Sequence, residues 1–236
     1  PSIVEGVKMS SSKEYDLKLR AKSTNIAGTI VIDGEELTLN TETGFYEKKV
    51  IGESHELEAT SASTYAKVQI DGSGNETSHD ITVINLAPGQ TEYYTVTNTA
   101  ENGDEEDYIV EVYRKNNVTT IDEVDFTPII SDAYGTEETL TALENGSYYK
   151  KISRHLDKAE IKLKALDPNA TASVNDQTAE LTETARVIEL DLNEEVINIP
   201  LRIYAEDGTL HEVNLKIERE SNDTSLARVL EGTTEL

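Results

Sequence analysis

The sequence predicts an all-β protein built as two β-sandwich units in tandem, and three observations predict it. Residues that suit a pleated, half-buried surface dominate, with eleven Tyr and many Val, Ile and Thr against two Phe and no Trp. Short alternating apolar runs are separated by Gly, Asn and Asp turn signals roughly every 8 to 12 residues. Two motifs, a hairpin and a Gly-led Tyr/Lys strand, recur along the chain. A chain of 236 residues could form one large domain or two of about 100 residues, and the repeats decide for two.

The hairpin is clearest in its last copy. Leu201-Arg202-Ile203-Tyr204 alternates, Asp207-Gly208 supplies the turn, and Val213-Asn214-Leu215-Lys216-Ile217-Glu218-Arg219 alternates again. Asp-Gly and Asn-Gly are preferred in tight turns because the central positions must accept positive φ. The middle copy has Tyr94 and Val96, the turn Asn102-Gly103, then Tyr108, Val110 and Val112. The first copy has Val7 and Met9, Ser10-Ser11-Ser12 in place of Asp-Gly, then Tyr15, Leu17 and Leu19. Each return strand ends in Arg near a small polar cluster: Arg20 before Ser23-Thr24-Asn25, Arg114 before Asn116-Asn117, Arg219 before Ser221-Asn222-Asp223.

The second motif pairs Gly44-Phe45-Tyr46-Glu47-Lys48-Lys49-Val50 with Gly146-Ser147-Tyr148-Tyr149-Lys150-Lys151-Ile152. Alternating strands follow at His55-Glu56-Leu57-Glu58-Ala59 and Ala159-Glu160-Ile161-Lys162-Leu163, then at Val68-Gln69-Ile70 and Ala172-Ser173-Val174. Tyr15 and Tyr108 are 93 positions apart, whereas Tyr108 and Val213 are 105 apart. An insertion of about ten residues around Thr127 to Thr139 in the later unit accounts for the difference. The units therefore run over 24–117 and 118–221. Residues 1–23 are either the closing hairpin of a preceding unit or extra strands of the first domain, and 222–236 the opening strand of a following unit or a tail. Ser153 to Leu163 has a partly amphipathic period, but the equivalent stretch of the first unit reads as a strand, so a strand is expected here too.

The ending Tyr204-Ala205-Glu206-Asp207-Gly208-Thr209, with Val213 to Arg219 and then Asn222-Asp223-Thr224-Ser225-Leu226-Ala227-Arg228-Val229, resembles the cadherin-like β-sandwich repeat of bacterial, mainly Gram-positive, surface and secreted proteins. The resemblance covers both full units, roughly 24–221, and departs from the pattern at His211-Glu212-Val213, where a tyrosine is usual. It implies immunoglobulin-like or cadherin-like Greek-key sandwiches used as spacers, scaffolds or adhesion elements. It brings no catalytic residues.

Charge excludes one class of partner. Acidic side chains number 46 against 21 basic, for a net charge of -25, and a surface for phosphodiester backbone needs clustered Lys and Arg. The absence of cysteine excludes disulfides, thiolate chemistry and cysteine-bound metals. No apolar run approaches the roughly 20 residues of a membrane span, and neither that pattern nor a leader at Pro1 is read, so a soluble piece of a longer protein is expected.

Candidate chemistry is sparse. The four histidines are His55, His79, His155 and His211, none beside a Gly-x-Ser-x-Gly elbow, and all are expected at the surface or rim. Tyr93-Tyr94 and Tyr148-Tyr149 are the aromatic doublets that could stack on a sugar, but alternation turns one ring of each inward. Calcium is the ligand the acids could serve, at Asp104-Glu105-Glu106-Asp107, at Asp122-Glu123 with Asp125, or at Asp191 with Asn193, Glu194 and Glu195. A solvated acidic edge that discourages strand pairing is the simpler account of the same residues. Lys49 and Lys162 sit on expected strands where a Lys–Asn isopeptide bond would start, without a distinctive spacing.

No catalytic, cofactor or metal residues are therefore assigned. The expectation is a non-catalytic extracellular module, structural, spacing or adhesive, of a larger bacterial surface protein. The alternative is a glycan- or protein-binding module that uses sandwich-end loops or the insertion at Thr127 to Thr139.

Overall fold

The computed structural model describes residues 21–175, 177–178, 188–192, 194–220, 230–231 and 234–235. The first hairpin copy lies outside the described residues, and so does most of 222–236. The described residues fall into two compact units, one of 21–47, 55–84 and 93–111, the other of 48–54, 85–92 and the described residues from 112 on.

The first sandwich repeat contains β1 Gly28–Ile32, β2 Glu35–Glu36, β3 Tyr46–Val50, β4 Ser54–Ser61, β5 Lys67–Ile70, β6 His79–Asn85, β7 Thr91–Thr99 and β8 Glu105–Arg114. They form two four-stranded sheets, in the orders β2-β1-β4-β6 and β3-β8-β7-β5. The second repeat contains β9 Ile121–Ile130, β10 Ala133–Tyr134, β11 Glu138–Thr139, β12 Tyr148–Ile152, β13 Lys158–Ala165, β14 Thr171–Val174, β15 Gln177–Thr178, β16 Ile188–Asp191, β17 Val196–Tyr204 and β18 Leu210–Arg219. Its sheets are β10-β9-β13-β16, with β11 also on β9, and β12-β18-β17-β14-β15. The fold is all-β, as predicted, and Ser153 to Leu163 ends in strand β13 rather than a helix.

Alternation builds the cores. In β13 the buried set Ala159, Ile161, Leu163 and Ala165 is spaced by two, so one face of the strand turns inward. With Phe126, Ile199, Leu201, Ile203, Leu215 and Ile217 it belongs to one apolar cluster of the second repeat. Burial on this scale stabilises by about 1.5–3 kcal/mol per large side chain. In the first unit Ile30, Ile32, Leu57, Ala59, Val68, Ile70, Val96 and Val110 are buried in the corresponding way.

The repeat is written in backbone hydrogen bonds. Lys115 N–H donates to Val50 O at 2.9 Å and Glu220 N–H to Ile152 O at 3.0 Å. Gly103 N–H donates to Ala100 O and Gly208 N–H to Ala205 O, closing the two hairpin turns. Gly103 and Gly208 both have positive φ, 97° and 92°, which explains Asn-Gly and Asp-Gly there. The tip of each hairpin also clasps the chain that leads into its own repeat. Ser23 N–H donates to Glu101 Oε2 at 3.1 Å while Asn102 N–H donates to Ser23 O at 3.2 Å. Asn116 N–H donates to Glu206 Oε2 at 3.3 Å while Asp207 N–H donates to Asn116 O at 3.1 Å. The polar clusters after Arg20 and Arg114 thus have a structural use: they supply the clasped segment.

The insertion sits where the spacing placed it. Leu37 N–H donates to Ile30 O, and its counterpart Leu140 N–H donates to Val124 O, both at 2.8 Å. Leu37 lies seven positions after Ile30 and Leu140 sixteen after Val124, so the second crossing is nine residues longer. β9 runs on past Phe126, turns at Ser131 and Asp132, both at positive φ, and returns antiparallel along its own free edge as β10 and β11.

Candidate functional site

The inserted segment walls a cavity on the outer face of the sheet β10-β9-β13-β16. The opening, of about 440 Å³, is lined by Thr127, Tyr134, Gly135, Glu137, Glu160 and Lys162. Alternation sends Glu160 and Lys162 of β13 to the same face, and register sets Glu160 opposite Thr127 and Lys162 opposite Asp125. Opposite the other edge of β9, Tyr134 pairs with Ile129 and Thr139 with Asp125. Gly135 is needed for this close seating, since a Cβ there would lie 2.8 Å from Pro128 Cγ and 3.1 Å from Pro128 O.

The polar groups of the site are unequally partnered. Lys162 Nζ is ion-paired with Glu137, whose hydrogen bond raises the lysine pKa against the pull of desolvation. Thr139 Oγ1 donates to Asp125 Oδ1 at 2.7 Å, and Lys158 Nζ lies 4.0 Å from Asp132 Oδ1. Glu160 is only 8 % exposed, lines the cavity, and has no hydrogen bond or ion pair among the described residues. A buried carboxylate without a hydrogen-bonded counter-charge is costly, and the cavity gives a donor group room to reach it. Tyr134 is 64 % exposed at the rim.

The residues singled out from sequence are dispersed. His79 Nε2 lies 3.0 Å from Glu58 Oε1, His155 lies beside Arg154, and His211 is exposed. His55 differs from the expectation: it is buried, at 8 % exposure, and its Nδ1 lies 2.6 Å from Asp33 Oδ2. The first crossing brings Asp33 over the start of β4, and Asp33 Oδ1 also accepts Glu56 N–H at 2.9 Å. Of the tyrosine doublets, Tyr148 is buried and Tyr149 exposed with Lys216 over its ring at 5.9 Å, while Tyr93 is exposed edge-on to Phe45 and Tyr94 is half-buried.

The acidic runs are engaged locally. Asp104 accepts from Asn102, Glu105 from Thr99, Glu106 from Tyr108 and Asp107 from Thr97. Asp122 pairs with Lys164 at 2.6 Å, Asn193 lies outside the described residues, and among the described residues no group of three or more His, Asp or Glu is placed to hold a metal. Lys49 is largely exposed, with its ammonium 3.6 Å from Glu206 and over the Tyr113 ring, so neither it nor Lys162 sits in an apolar core.

Each repeat has two sheets, with the repeated hairpin, β7-β8 and β17-β18, inside one of them, and in the second repeat β12 runs parallel to β18. Residues 53–115 match the cadherin-like beta sandwich domain family. No curated protein matches this sequence. Among solved structures, the chain is similar to the fibronectin(III)-like modules of Clostridium thermocellum CbhA, at 13% identity over 86% of this chain and 100% of that one, with a TM-score of 0.35. The human desmocollin-1 ectodomain is similar at 14% identity over 86% of this chain and 39% of that one, TM-score 0.30. The insect immune protein hemolin is similar at 12% identity over 75% of this chain and 45% of that one, TM-score 0.33. Among the described residues no helix is long and apolar enough to cross a membrane.

The second hairpin also explains a perturbed titrating pair, Tyr113 and Glu206. Tyr113 donates its hydroxyl to Glu206 Oε2 at 2.5 Å, beside the Asn116 amide and the Lys49 ammonium. Burial alone would raise the Glu206 carboxyl, but Tyr113, Asn116 and Lys49 together outweigh it and hold the pKa below the ordinary glutamate value. The same hydrogen bond, with burial, pushes the Tyr113 phenol up to about 12. Sequence reasoning found the hairpin and missed both Glu206 and Glu160. The signal for Glu206 was present, since Glu101 and Glu206 precede the turn pair in both copies.

Proposed function

We propose that this chain is a non-catalytic structural module of a larger extracellular bacterial surface protein, made of two cadherin-like sandwiches over 24–117 and 118–221, that spaces or presents neighbouring parts of the same polypeptide. The observation that carries the reading is the hydrogen-bond frame written twice, hairpin closure and clasp included. A chain that repeats its frame while letting surface residues differ is selected for shape and stability rather than for one constellation of side chains. The charge of -25 keeps such a surface soluble, and folding without cysteine needs no oxidant.

A second reading, a module that binds a glycan or a host or cell-surface protein, is favoured by one observation, the cavity beside the inserted segment. Single-molecule stretching tests the first reading. Two discrete unfolding steps are expected, each releasing about 100 residues or roughly 330–360 Å of extended chain. Gradual extension at low force without steps would contradict a load-bearing or spacing role.

A further inference from the structure

We infer that the cavity beside the inserted segment binds a guanidinium group, with Glu160 as its anion and Tyr134 as its stacking face. Glu160 is 8 % exposed, lines the cavity and makes no hydrogen bond or ion pair among the described residues, its charge reaching the Lys162 ammonium only at longer range. The one ammonium that also lines the cavity, Lys162, is held by Glu137. Glu137 adds a second carboxylate and Thr127 and Tyr134 add hydroxyls that accept as well as donate, so a ligand that brings several donors and a positive charge suits the site.

The chemistry of the donor follows from what the walls offer. A neutral polyol would bring no counter-charge to Glu160, which the Lys162 ammonium reaches only at longer range. A calcium ion takes six to eight oxygens, and no group of three or more acidic residues converges here among the described residues. A guanidinium donates through a planar fork that matches one carboxylate in two parallel hydrogen bonds, and its face stacks on an aromatic ring. Tyr134, 64 % exposed at the rim, offers that ring. The opening of about 440 Å³ is large enough for a guanidinium and its alkyl stem, and the net charge of -25 draws cations toward it. This site stands apart from the structural reading, which neither requires nor excludes it.

The guanidinium can come from a free small molecule or from an arginine side chain of a basic segment, and one experiment separates the two. Backbone amide spectra of the full 236-residue chain are followed during titration with agmatine, with the peptide acetyl-Gly-Arg-Gly-amide, with butylamine and with methyl glucoside. Saturable shifts of Thr127, Gly135, Glu160 and Lys162 are expected with agmatine and the peptide. E160Q is expected to weaken both by at least about tenfold through loss of a charge-assisted bidentate contact, and Y134A, at an exposed position that leaves folding intact, by about threefold. Equal affinity for the two probes assigns the site to the guanidinium alone, and tighter peptide binding assigns it to an arginine of a partner chain. No saturable shift with either probe, equal binding of methyl glucoside, or binding unchanged in E160Q would overturn the inference.

Discussion

The two repeats make the same crossing between their first strand and the residue that returns to it, and they make it differently. In the first repeat the chain turns at Asp33-Gly34 and regains the frame at Leu37. In the second it overruns Phe126, turns at Ser131-Asp132 and regains the same hydrogen bond at Leu140. The frame on either side is unchanged, so the extra nine residues from Val124 to Leu140, relative to Ile30 to Leu37, decorate the fold without defining it. What they change is the outer face of β9 and β13. In the first repeat the crossing delivers Asp33 to His55, and in the second it walls a cavity in which Glu160 makes no hydrogen bond or ion pair among the described residues.

The largest effect that separates the repeats comes from their cores just before each turn. Phe126 and Ile32 are both buried, at 2 % and 0 % exposure, and F126A is expected to destabilise the second repeat by about 3–5 kcal/mol and I32A the first by about 2–4 kcal/mol. Denaturant unfolding monitored by residue-resolved amide signals checks this, since each substitution should move one set of signals and leave the other in place. Simultaneous loss of both sets would show that the repeats do not keep separate cores.

The two crossing glycines sharpen the comparison, because each is required for a different reason. Gly34 has φ +81° and open space around its Cβ position, whereas Gly135 is crowded by Pro128 at 2.8 Å. Alanine at either is expected to lower stability by about 1–2 kcal/mol. Asparagine tolerates the left-handed region, so G34N should recover most of the loss, while G135N should be worse than G135A. Thermal midpoints of the four variants decide it, and recovery by G135N would mean that the inserted segment does not seat against β9 as described.

A smaller effect is expected at the clasps. Glu206 accepts from Tyr113 and Asn116 and is paired with Lys49, whereas Glu101 accepts from Ser23. The lowered pKa of Glu206 means that its contribution is present above the unfolded glutamate value, about 4.3, and is lost as pH falls through the lower folded value. E206Q is expected to cost about 1–2 kcal/mol at pH 7 and to flatten the acid limb of stability below about pH 4.5. Stability of E206Q against pH checks this, and an acid limb unchanged from that of the parent chain would break it. The smallest effect expected is that of calcium: the acidic runs already accept hydrogen bonds from their own strands, so midpoints with millimolar calcium and with chelator should agree within about 1 °C. A rise that follows mass action would reveal a site the geometry does not account for.

Much of the frame was legible in the residues because it depends on local rules. Alternation fixed the inward faces of β13 and β17, Asn102-Gly103 and Asp207-Gly208 fixed two turns, and the changed offset located the insertion. The site was less legible, because it depends on a contact between segments distant in sequence. Lys158-Ala159-Glu160-Ile161-Lys162 reads as a strand with a polar outer face, and on that pattern Glu160 is a solvated charge. Only the return of residues 133–139 along β9 narrows its access to solvent. His55 was misread for the same reason, since the Asp33 turn that covers it is supplied by another strand pair. Nothing in the immediate sequence of either residue carries that information.

The most direct test is to exchange one crossing for the other, replacing residues 125–139 with Val-Ile-Asp-Gly-Glu-Glu of positions 31–36. The amide signals of β13, β17 and β18 should persist with a cooperative unfolding transition, while the agmatine-dependent shifts of Glu160 and Lys162 disappear. Loss of the folded second repeat, or agmatine binding that survives the exchange, would contradict the view that the longer crossing is an addition to a common frame and the maker of its site.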